Sequence, residues 1–297
     1  MAIVICSNID RNTAESKKEN LISGLKKLES LVVAFSGGVD STFLLEVASR
    51  IPGLRLAAVT ASSILHPNRE KKYAAEFAEK SGIRHILFET YELDIPAFVL
   101  NGKDRCYHCK RNMFTKLLEI AENNGFKQVA HGANIDDLHD FRPGFRAADE
   151  SGVIAPLIDA GLNKEEIRFL SKEMGLSTWN IPAMACLATR IPYGSPVTEN
   201  KLLMIEKAED FLMQNGFIDV RVRHYGAVAV IEVKGQAEMR RICDKDIRTD
   251  TIRKFREIGF EFVSLDLEGF ISGKMNRTLA SRYVQEGNEP PEKTDDI

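Results

Sequence analysis

Residues 31–48 read LVVAFSGGVDSTFLLEVA, and this stretch decides the fold of the N-terminal part of the chain. Its first five residues are an apolar run rich in valine, which is typical of a strand buried on both faces of a parallel sheet. The polar segment Ser36–Ser41 follows at once, and from Thr42 onward the apolar positions take helical spacing. We therefore predict a buried strand, a tight turn that contains glycine, and a helix.

The predicted turn, Ser36–Ser41, has the features of an anion site. The first N–H groups of a helix have no partner within the helix and lie at the positive end of its dipole, so they attract groups such as phosphate. Gly37 and Gly38 let the backbone approach a ligand and permit a positive φ. No Gly-Lys-Ser/Thr follows, so the turn is not a Walker-type loop. An ordinary turn capped by serine and aspartate is the alternative.

The string SGGVDS between a strand and a helix resembles the PP-loop of the ATP pyrophosphatase superfamily, whose members cleave ATP to AMP and pyrophosphate. The resemblance implies that the loop holds the pyrophosphate part of ATP. Further candidates follow predicted strands at their carboxyl ends, where open α/β sheets bind ligands. The complete set of predicted nucleotide-binding residues is Ser36, Gly37, Gly38, Val39, Asp40, Ser41, Thr60, Gly132, Asp136 and Asp137.

Three of these residues are carboxylates, and the family pattern places Asp40, Asp136 and Asp137 near ATP. A carboxylate in a triphosphate site most plausibly acts through Mg²⁺. The alternative for Asp136 or Asp137 is a capping role at a helix start.

Apolar periodicity predicts the rest of the fold. Expected strands cover 54–59, 84–88 and 127–131, and expected helices cover 11–30, 67–80 and 163–174, the last opened by a capping box of Asn163 and Glu166. Strands that alternate with helices predict an α/β fold with a doubly wound, mostly parallel sheet. The resemblance implies the arrangement of the adenine nucleotide alpha hydrolase-like proteins.

The pattern changes at about Pro196. We expect a helix over 198–215, strands over 219–225, 227–233 and 260–267, and a helix over 247–258, which together predict a smaller α+β domain. The predicted organisation is a PP-loop domain over 1–195, the C-terminal α+β domain over 196–282, and a tail of disorder-like composition over 283–297.

Composition excludes several classes of protein. The chain is 44% hydrophobic and 28% charged, as a globular protein with a real core would be. A net charge of −3 gives no general attraction to nucleic acid. No apolar stretch approaches the roughly 20 residues that cross a bilayer, and no basic leader marks a signal peptide. We expect a cytoplasmic protein with no membrane partner.

The five cysteines are clustered, which in a reducing compartment suggests metal or catalytic use. Cys106 and Cys109 form a CxxC in RCYHCK, and Cys186 lies in PAMACLATRIPYG. The residues alone leave open a redox pair, a zinc site that uses His108, buried structural thiols, or an iron–sulfur cluster on three thiolates. Arg190 supplies a positive field for a thiolate at Cys186. Cys6 and Cys243 match no motif and are expected to be structural thiols.

The strings SGGVDS, RCYHCK, GANIDD, PAMACLATRIPYG and DVRVRHYG, in this order over about 21–276, resemble the LarE family. Its members are ATP-dependent sulfur transferases that help to build the nickel-pincer cofactor. The resemblance implies that ATP adenylates a carboxylate of pyridinium-3,5-biscarboxylate mononucleotide and that sulfur then displaces AMP. One branch sacrifices the sulfur of a single cysteine, at the position of Cys186. Cys106, Cys109 and Cys186 correspond to the other branch, whose 4Fe-4S cluster carries the sulfur.

Catalysis is assigned to Cys186 and Asp40. Arg221 and Arg223 lie two apart on a predicted strand and therefore share a face. Together with Arg190, these two arginines are the candidates to bind the phosphate of the substrate. The alternative for Arg221 and Arg223 is that they lie on an ordinary solvent-facing edge of the strand. The family also has acidic residues that match Glu209 and Glu232, and an arginine where this chain has Ile271. Lys274 and Arg277 are candidates to compensate for that arginine.

The main hypothesis is a sulfur transferase that uses ATP, Mg²⁺ and a 4Fe-4S cluster on a small nucleotide-like substrate, with sulfide or a carrier protein as sulfur donor. The resemblance to the LarE family also implies that the protein forms a homo-oligomer. One alternative is a 4Fe-4S-dependent tRNA thiolation enzyme, which the acidic net charge disfavours. Another is an ammonia-using PP-loop synthetase, which would need no cysteine trio. A non-enzymatic nucleotide-binding or zinc-stabilised adaptor is disfavoured by the intact SGGVDS.

Overall fold

The computed structural model describes residues 9–139, 144–182 and 185–277, without the side chains of 68–70 and 139. The predicted tail over 283–297 and Cys6 lie outside the described residues. The chain divides into two compact units. The first unit contains the segment that ends at Ile95 together with Cys106–Ala185, and the second contains Pro96–Arg105 together with the segment that begins at Cys186.

Seven strands and eleven α-helices can be followed in the described residues. The strands are β1 (Ser30–Ala34), β2 (Arg55–Ser62), β3 (Arg84–Glu89), β4 (Gln128–Ala130), β5 (Val220–Tyr225), β6 (Val228–Val233) and β7 (Phe262–Leu265). The helices are α1 (Arg11–Leu25), α2 (Val39–Ser49), α3 (Asn68–Lys80), α4 (Pro96–Val99), α5 (Arg105–Asn123), α6 (Gly144–Glu150), α7 (Pro156–Asp159), α8 (Lys164–Glu173), α9 (Glu199–Gln214), α10 (Gln236–Ile242) and α11 (Lys245–Ile258).

The first unit is built on a four-stranded sheet of order β3-β2-β1-β4, in which every neighbouring pair is parallel. The apolar run of β1 lies inside the sheet, between β2 and β4. Leu31 and Val33 belong to one hydrophobic core with residues of α1, α2 and α8, whereas Val32 belongs to a second core with residues of α5 and α6. Because successive side chains of a strand point to opposite faces, both faces of the sheet are covered. The predicted α/β fold with a mostly parallel sheet is confirmed.

The expected helix start at Asn163 is present in full. The Asn163 side chain accepts a hydrogen bond from the backbone N–H of Glu166, and the Glu166 carboxylate accepts one from the N–H of Asn163. This reciprocal capping box fixes the first residue of α8, Lys164, which contributes to the site described below.

The second unit has a mixed three-stranded sheet of order β5-β6-β7. Strands β5 and β6 are antiparallel, and β6 and β7 are parallel. Its hydrophobic core joins Val220 and Val222 of β5 to Phe255 of α11 and to Phe217 and Phe260. The smaller α+β fold predicted for the C-terminal part is confirmed, and α10 is an addition to it.

The segment Pro96–Arg105 belongs to the second unit because of hydrogen bonds that no local pattern shows. The N–H groups of Gly194 and Val197 donate to the carbonyls of Asn101 and Val99, at 3.0 and 2.9 Å. The buried side chain of Asn101 donates to the carbonyls of Pro192 and Ser195, each at 2.8 Å. The predicted organisation has one boundary between the two domains, after residue 195. In the structure, the second unit instead includes Pro96–Arg105 and resumes at Cys186.

Within the described part of the chain, no helix combines the length and the apolar character needed to cross a membrane.

Candidate active site

The segment Ser36–Ser41 forms the predicted turn between β1 and α2. Gly37 has a φ of +78°, which side chains other than glycine rarely adopt, and Gly38 is the extended N-cap residue of α2. The hydroxyl oxygens of Ser36 and Ser41 lie 3.1 Å apart, and the N–H of Gly38 donates to Ser36 Oγ at 3.3 Å. The turn is thus closed by its own serines, with the start of α2 at its open end.

Gly132, which follows β4, is required by close contact with this turn. A Cβ atom at Gly132 would lie 2.8 Å from the backbone nitrogen of Ser41 and 3.0 Å from its Cα. These atoms belong to the helix start and cannot move aside easily. The structure therefore places Gly132 in contact with Ser41, and both residues were predicted to belong to the nucleotide site. Only glycine fits at position 132.

Asp40 lies in the first turn of α2 and pairs with a residue that the sequence did not reveal. Its Oδ2 accepts a hydrogen bond from Lys164 Nζ at 2.5 Å. Its Oδ1 is buried and has no hydrogen-bond partner among the described residues. Burial raises the pKa of Asp40, an effect that the nearby Asp137 reinforces and that Lys164 and Arg168 oppose.

Asp136 and Asp137 lie in a 3-10 helix, Ile135–His139, after β4. Asp136 Oδ2 accepts from the backbone N–H of Lys164 at 2.9 Å, and Asp137 Oδ2 accepts from the N–H of Asn134 at 3.0 Å. For Asp136 this is a capping contact at the start of α8, and for Asp137 it closes a local turn. Both contacts favour the capping alternative, whereas the predicted role in Mg²⁺ binding stays a prediction.

A small cleft, partly open to solvent, lies beside Ser36 at the carboxyl ends of β1 and β2. Its lining is mostly apolar and also includes the hydroxyl side chains of Ser36 and Thr60 and the side chains of His66, Lys71 and Lys110. The lining residues are Ala34, Phe35, Ser36, Val59, Thr60, Ala61, His66, Lys71, Lys110 and Met113. Thr60 Oγ1 donates to the carbonyl of Phe35 at 2.7 Å and lies 2.8 Å from His85 Nε2. Thr60 therefore fixes the last residue before the turn.

Two histidines near the cleft are kept neutral at physiological pH. Burial, followed by the positive charge of Lys110, lowers the pKa of His66 and that of His131 to about 4. Lys71 also lowers the pKa of His66, and Glu92 acts in the opposite direction. Each imidazole can therefore act as a donor or acceptor without carrying charge.

The predicted cysteine trio is divided between the two units. Cys106 and Cys109 lie three residues apart near the start of α5, so they share a helix face, and both are half-buried. Cys186 is half-buried and is the first residue of the segment that continues the second unit. Thiolates are suitable iron ligands, but over 9–139, 144–182 and 185–277 no group of three His, Cys, Asp or Glu side chains is arranged to hold a metal ion. Cys243 is exposed, contrary to the expectation of a structural thiol.

Cys186 precedes a 3-10 helix, Leu187–Arg190, and Arg190 holds this turn in place. Arg190 Nη1 donates to the carbonyl of Cys186 at 3.1 Å and to Thr189 Oγ1 at 2.8 Å. Its Nε and Nη2 donate to both carboxylate oxygens of Glu209, at 2.9 and 3.1 Å. Arg190 is 2% exposed and Glu209 0% exposed, so a buried ion pair anchors the Cys186 turn to α9. Most of the donors of Arg190 are thus engaged within the protein.

Arg221 and Arg223 are both 6% exposed, so the solvent-facing alternative for this strand is wrong. Arg223 Nη2 donates to Glu232 Oε2 at 2.6 Å and its Nη1 donates to the carbonyl of Thr189 at 3.0 Å. Arg221 lies over the ring of Phe270, 4.9 Å from the centroid. Burial, followed by the neighbouring positive charge of Arg190, lowers the pKa of Arg221 to about 10, although the Glu209 carboxylate acts in the opposite direction.

Lys274 extends this group of charges. Its Nζ lies 2.5 Å from Asp266 and 3.6 Å from Glu232, the acid that also pairs with Arg223. Ile271, which stands where the family has arginine, is 38% exposed. Lys274, one of the two candidates to compensate for that arginine, lies within ion-pair distance of the buried Glu232.

The parallel sheet of order β3-β2-β1-β4, with SGGVDS between β1 and α2, defines an α/β protein of the PP-loop type. No protein-family model matches the chain, but whole-chain relatives do. The chain belongs to the LarE family: it is 36% identical, over 274 residues, to the pyridinium-3,5-bisthiocarboxylic acid mononucleotide synthase of Lactiplantibacillus plantarum, covering 92% of this chain and 98% of the relative.

Two further relatives are uncharacterized proteins. One from Synechocystis sp. is 38% identical over 265 residues, which is 89% of this chain and 98% of the relative. One from Methanocaldococcus jannaschii is 30% identical over 258 residues, which is 85% of this chain and 95% of the relative. Both units of the structure are therefore shared with these proteins.

Proposed function

We propose that this protein is an ATP-dependent sulfur transferase of nickel-pincer cofactor biosynthesis. It adenylates a carboxylate of pyridinium-3,5-biscarboxylate mononucleotide and replaces AMP with sulfur. The observation that carries the proposal is the turn Ser36–Ser41, closed against Gly132 at the start of α2. The name of the Lactiplantibacillus plantarum relative, a pyridinium-3,5-bisthiocarboxylic acid mononucleotide synthase, supports the substrate and the product.

The turn would bind the pyrophosphate part of ATP. Backbone N–H groups at a helix start are already oriented, so they stabilise charge that develops on the leaving pyrophosphate without a reorganisation cost. The positive φ of Gly37 brings the backbone to the ligand. A carboxylate oxygen of the substrate attacks the α-phosphorus, pyrophosphate leaves, and the acyl adenylate that results is open to a sulfur nucleophile.

Asp40 is the residue that would place Mg²⁺ on the triphosphate. Its buried Oδ1 has no hydrogen-bond partner in the described part of the chain, and carboxylate oxygens are the ligands that Mg²⁺ takes. Lys164, which now neutralises Oδ2, is close enough to Asp40 to provide positive charge for a phosphate in the same place. Asp136 and Asp137 would support these two residues through the backbone contacts described above.

In the second unit, Arg221 and Arg223 would hold the phosphate of the mononucleotide. Arg223 Nε is a buried donor without a hydrogen-bond partner among the described residues, as expected of a group reserved for a ligand oxygen. Arg190 is proposed for the same phosphate, although its bonds to Glu209 and to the Cys186 carbonyl give it a positioning function as well.

Cys106, Cys109 and Cys186 would hold the 4Fe-4S cluster, which when bound supplies the transferred sulfur from an iron that no cysteine ligates. Sulfide or a carrier protein is the proposed origin of the sulfur. A homo-oligomeric state and a cytoplasmic location stay predictions from the sequence.

Pyrophosphate release tests the adenylation step. With ATP, Mg²⁺, sulfide and pyridinium-3,5-biscarboxylate mononucleotide, the purified protein should release pyrophosphate and AMP and form a thiocarboxylate that mass spectrometry detects. Asp40→Asn should lose the release while it keeps a folded far-UV spectrum, and Asp149→Asn, which removes an exposed carboxylate of α6, should retain it. Release that is undiminished in Asp40→Asn would remove the turn from the mechanism.

Elemental analysis tests the cluster separately. Protein purified without oxygen should be brown and should contain iron and sulfide, and single alanine variants of Cys106, Cys109 and Cys186 should each lose both. Colourless protein that contains zinc would contradict the cluster and leave the adenylation step unaffected.

A further inference from the structure

Arg105 is a buried cation, 3% exposed, whose side-chain contacts in the described part of the chain are with neutral groups. Its Nη1 donates to Asn101 Oδ1 and, at 3.4 Å, to the carbonyl of Ile191, and its guanidinium lies over the ring of Tyr193, 4.5 Å from the centroid. Its Nε is buried and has no hydrogen-bond partner there. Because a guanidinium is costly to bury on neutral groups, this arrangement is better explained by what Arg105 positions than by stability.

Asn101 joins Arg105 to a second segment of the chain. Its Nδ2 donates to the carbonyls of Pro192 and Ser195, each at 2.8 Å, while its Oδ1 accepts from Arg105. Its φ is +56°, the one positive value at a residue other than glycine among those that the structure describes. A left-handed backbone of this kind persists where the surroundings fix it, as the bonds of the Asn101 side chain do. We call Asn101 and Arg105 the clasp, because they fasten Pro96–Arg105 to the turn that contains Pro192 and Ser195.

The two segments that the clasp joins are both next to cysteines of the predicted trio. Cys106 follows Arg105 directly, so the Cα atoms of these two residues are about 3.8 Å apart. Cys186 is followed by the 3-10 helix Leu187–Arg190 and then by Ile191, whose carbonyl accepts from Arg105. Resting on the function proposed above, we propose that Arg105 is a positioning residue for the cysteine trio, and that the clasp fixes the start of the CxxC relative to Cys186.

The trio needs such a device because its members come from segments that are far apart in the sequence. If the CxxC and Cys186 moved independently, every binding event would have to order both segments, at a cost in conformational entropy. A ligand set that is held in place before binding avoids most of that cost. Arg105 is not itself a ligand in this scheme: it acts on the backbone that precedes Cys106.

Arg105→Met tests this role, with Arg105→Lys and Arg241→Met as companions. Methionine keeps an unbranched side chain but cannot donate to Asn101, whereas lysine keeps a single donor for Asn101 Oδ1. Arg241 is a matched control in the second unit, because it donates to the carbonyl of Gly216 at 3.1 Å and lies over the ring of Phe217, 4.4 Å from the centroid. It therefore repeats the kinds of contact that Arg105 makes, at a place that is not next to the trio in sequence.

Thiol bridging in metal-free protein measures the positions of the cysteines without any turnover. Dibromobimane joins two neighbouring thiols, and mass spectrometry of the digested protein counts each pair. In Arg105→Met, bridges from Cys186 to Cys106 or Cys109 should fall several-fold relative to the bridge between Cys106 and Cys109, whose spacing belongs to the single helix α5. Arg105→Lys should be intermediate, and Arg241→Met should equal the wild type. Thermal unfolding of the same samples shows that each variant is folded at the temperature of the reaction.

The metal content gives a second readout. After purification without oxygen, Arg105→Met should contain several-fold less iron and sulfide per protein than the wild type, although all three cysteines are present. Arg241→Met should contain as much as the wild type. A defect that only lowered stability would not separate these two variants at a temperature where both are folded.

The outcomes separate this inference from the proposed function. If the wild type contains no iron, the proposed cluster fails, and the ratio of thiol bridges still decides the role of Arg105. If the wild type contains the cluster and Arg105→Met equals Arg241→Met in bridging and in iron, the role of Arg105 is overturned and the proposed function stands. An equal fall of all bridges in Arg105→Met, or no Cys186 bridge in the wild type, would also overturn it. If Arg105→Met does not fold, the same ratio in Arg105→Lys decides.

Discussion

The turn Ser36–Ser41 and the buried charges around Arg190 and Arg223 are both suited to phosphate, but they are built differently. The turn uses backbone N–H groups, two glycines and two hydroxyls within six consecutive residues. The second region uses side chains from β5, β6, α9 and a 3-10 helix, with Arg190 on Glu209 and Arg223 on Glu232. The turn itself contains one buried carboxylate, that of Asp40, whereas the second region contains two buried ion pairs and must offset the desolvation of all four ions. The second region should therefore be the more sensitive to single substitutions.

Glu209→Ala should have the largest effect on stability. Glu209 accepts hydrogen bonds from Arg190 and from the backbone N–H of Val222, and it is 0% exposed. Its removal leaves the buried Arg190 without its carboxylate, which typically costs about 3–5 kcal/mol. Chemical denaturation of the purified variant measures this loss of unfolding free energy.

Glu257→Ala is the control for that experiment. Glu257 forms an ion pair with Arg253 of the same unit, but both side chains are largely exposed. Solvent screens an exposed pair and ordering its two side chains costs entropy, so little change in unfolding free energy is expected. Equal losses in Glu209→Ala and Glu257→Ala would break the comparison, because burial would then not distinguish the two pairs.

Gly132→Ala tests the turn through its packing. The added Cβ would lie 2.8 Å from the Ser41 nitrogen, and overpacking of this kind costs about 1–3 kcal/mol. The displacement falls on the start of α2, so ATP affinity should drop more than stability does. Calorimetric titration with ATP and thermal unfolding of the same sample measure both. Unchanged ATP affinity would show that the start of α2 is not the binding site.

A dependence of stability on pH should come from His131. Its pKa is about 4 in the folded protein against 6.5 as a reference, so the unfolded chain takes up its proton first as the pH falls. Stability should therefore be highest above pH 6.5 and decline toward pH 4, by about 1–2 kcal/mol from this residue after allowance for its partial exposure. His131→Gln should flatten that part of the profile. A slope that is the same in both proteins would exclude His131 as its source.

The two regions also differ in how far the sequence predicts them. The turn is local: strand, glycine and helix start follow one another, so its position, its positive φ at Gly37 and the parallel sheet around it were all predictable. The partner of Asp40 is Lys164, which is 124 residues away in sequence, and nothing in the local pattern joins them. The pairing of Arg190 with Glu209 and the inclusion of Pro96–Arg105 in the second unit depend on equally distant contacts. Hydrophobic periodicity indicates which face of an element is buried, but it does not indicate which charged residue lies opposite.

Gly24→Ala should have the smallest effect and the opposite sign. Gly24 lies near the end of α1, and apart from its chain neighbours and the backbone of α1, no atom of the described residues lies within 4 Å of the position that its Cβ would take. Alanine is the better helix former, by about 0.5–1 kcal/mol in a helix interior and less near a helix end, so this variant should be equal to the wild type or slightly more stable. ATP affinity should not change. Measured beside Gly132→Ala, it separates a glycine that the backbone contact at Ser41 requires from one that the fold merely tolerates. If Gly24→Ala is as harmful as Gly132→Ala, then close contact with Ser41 does not explain the glycine at 132.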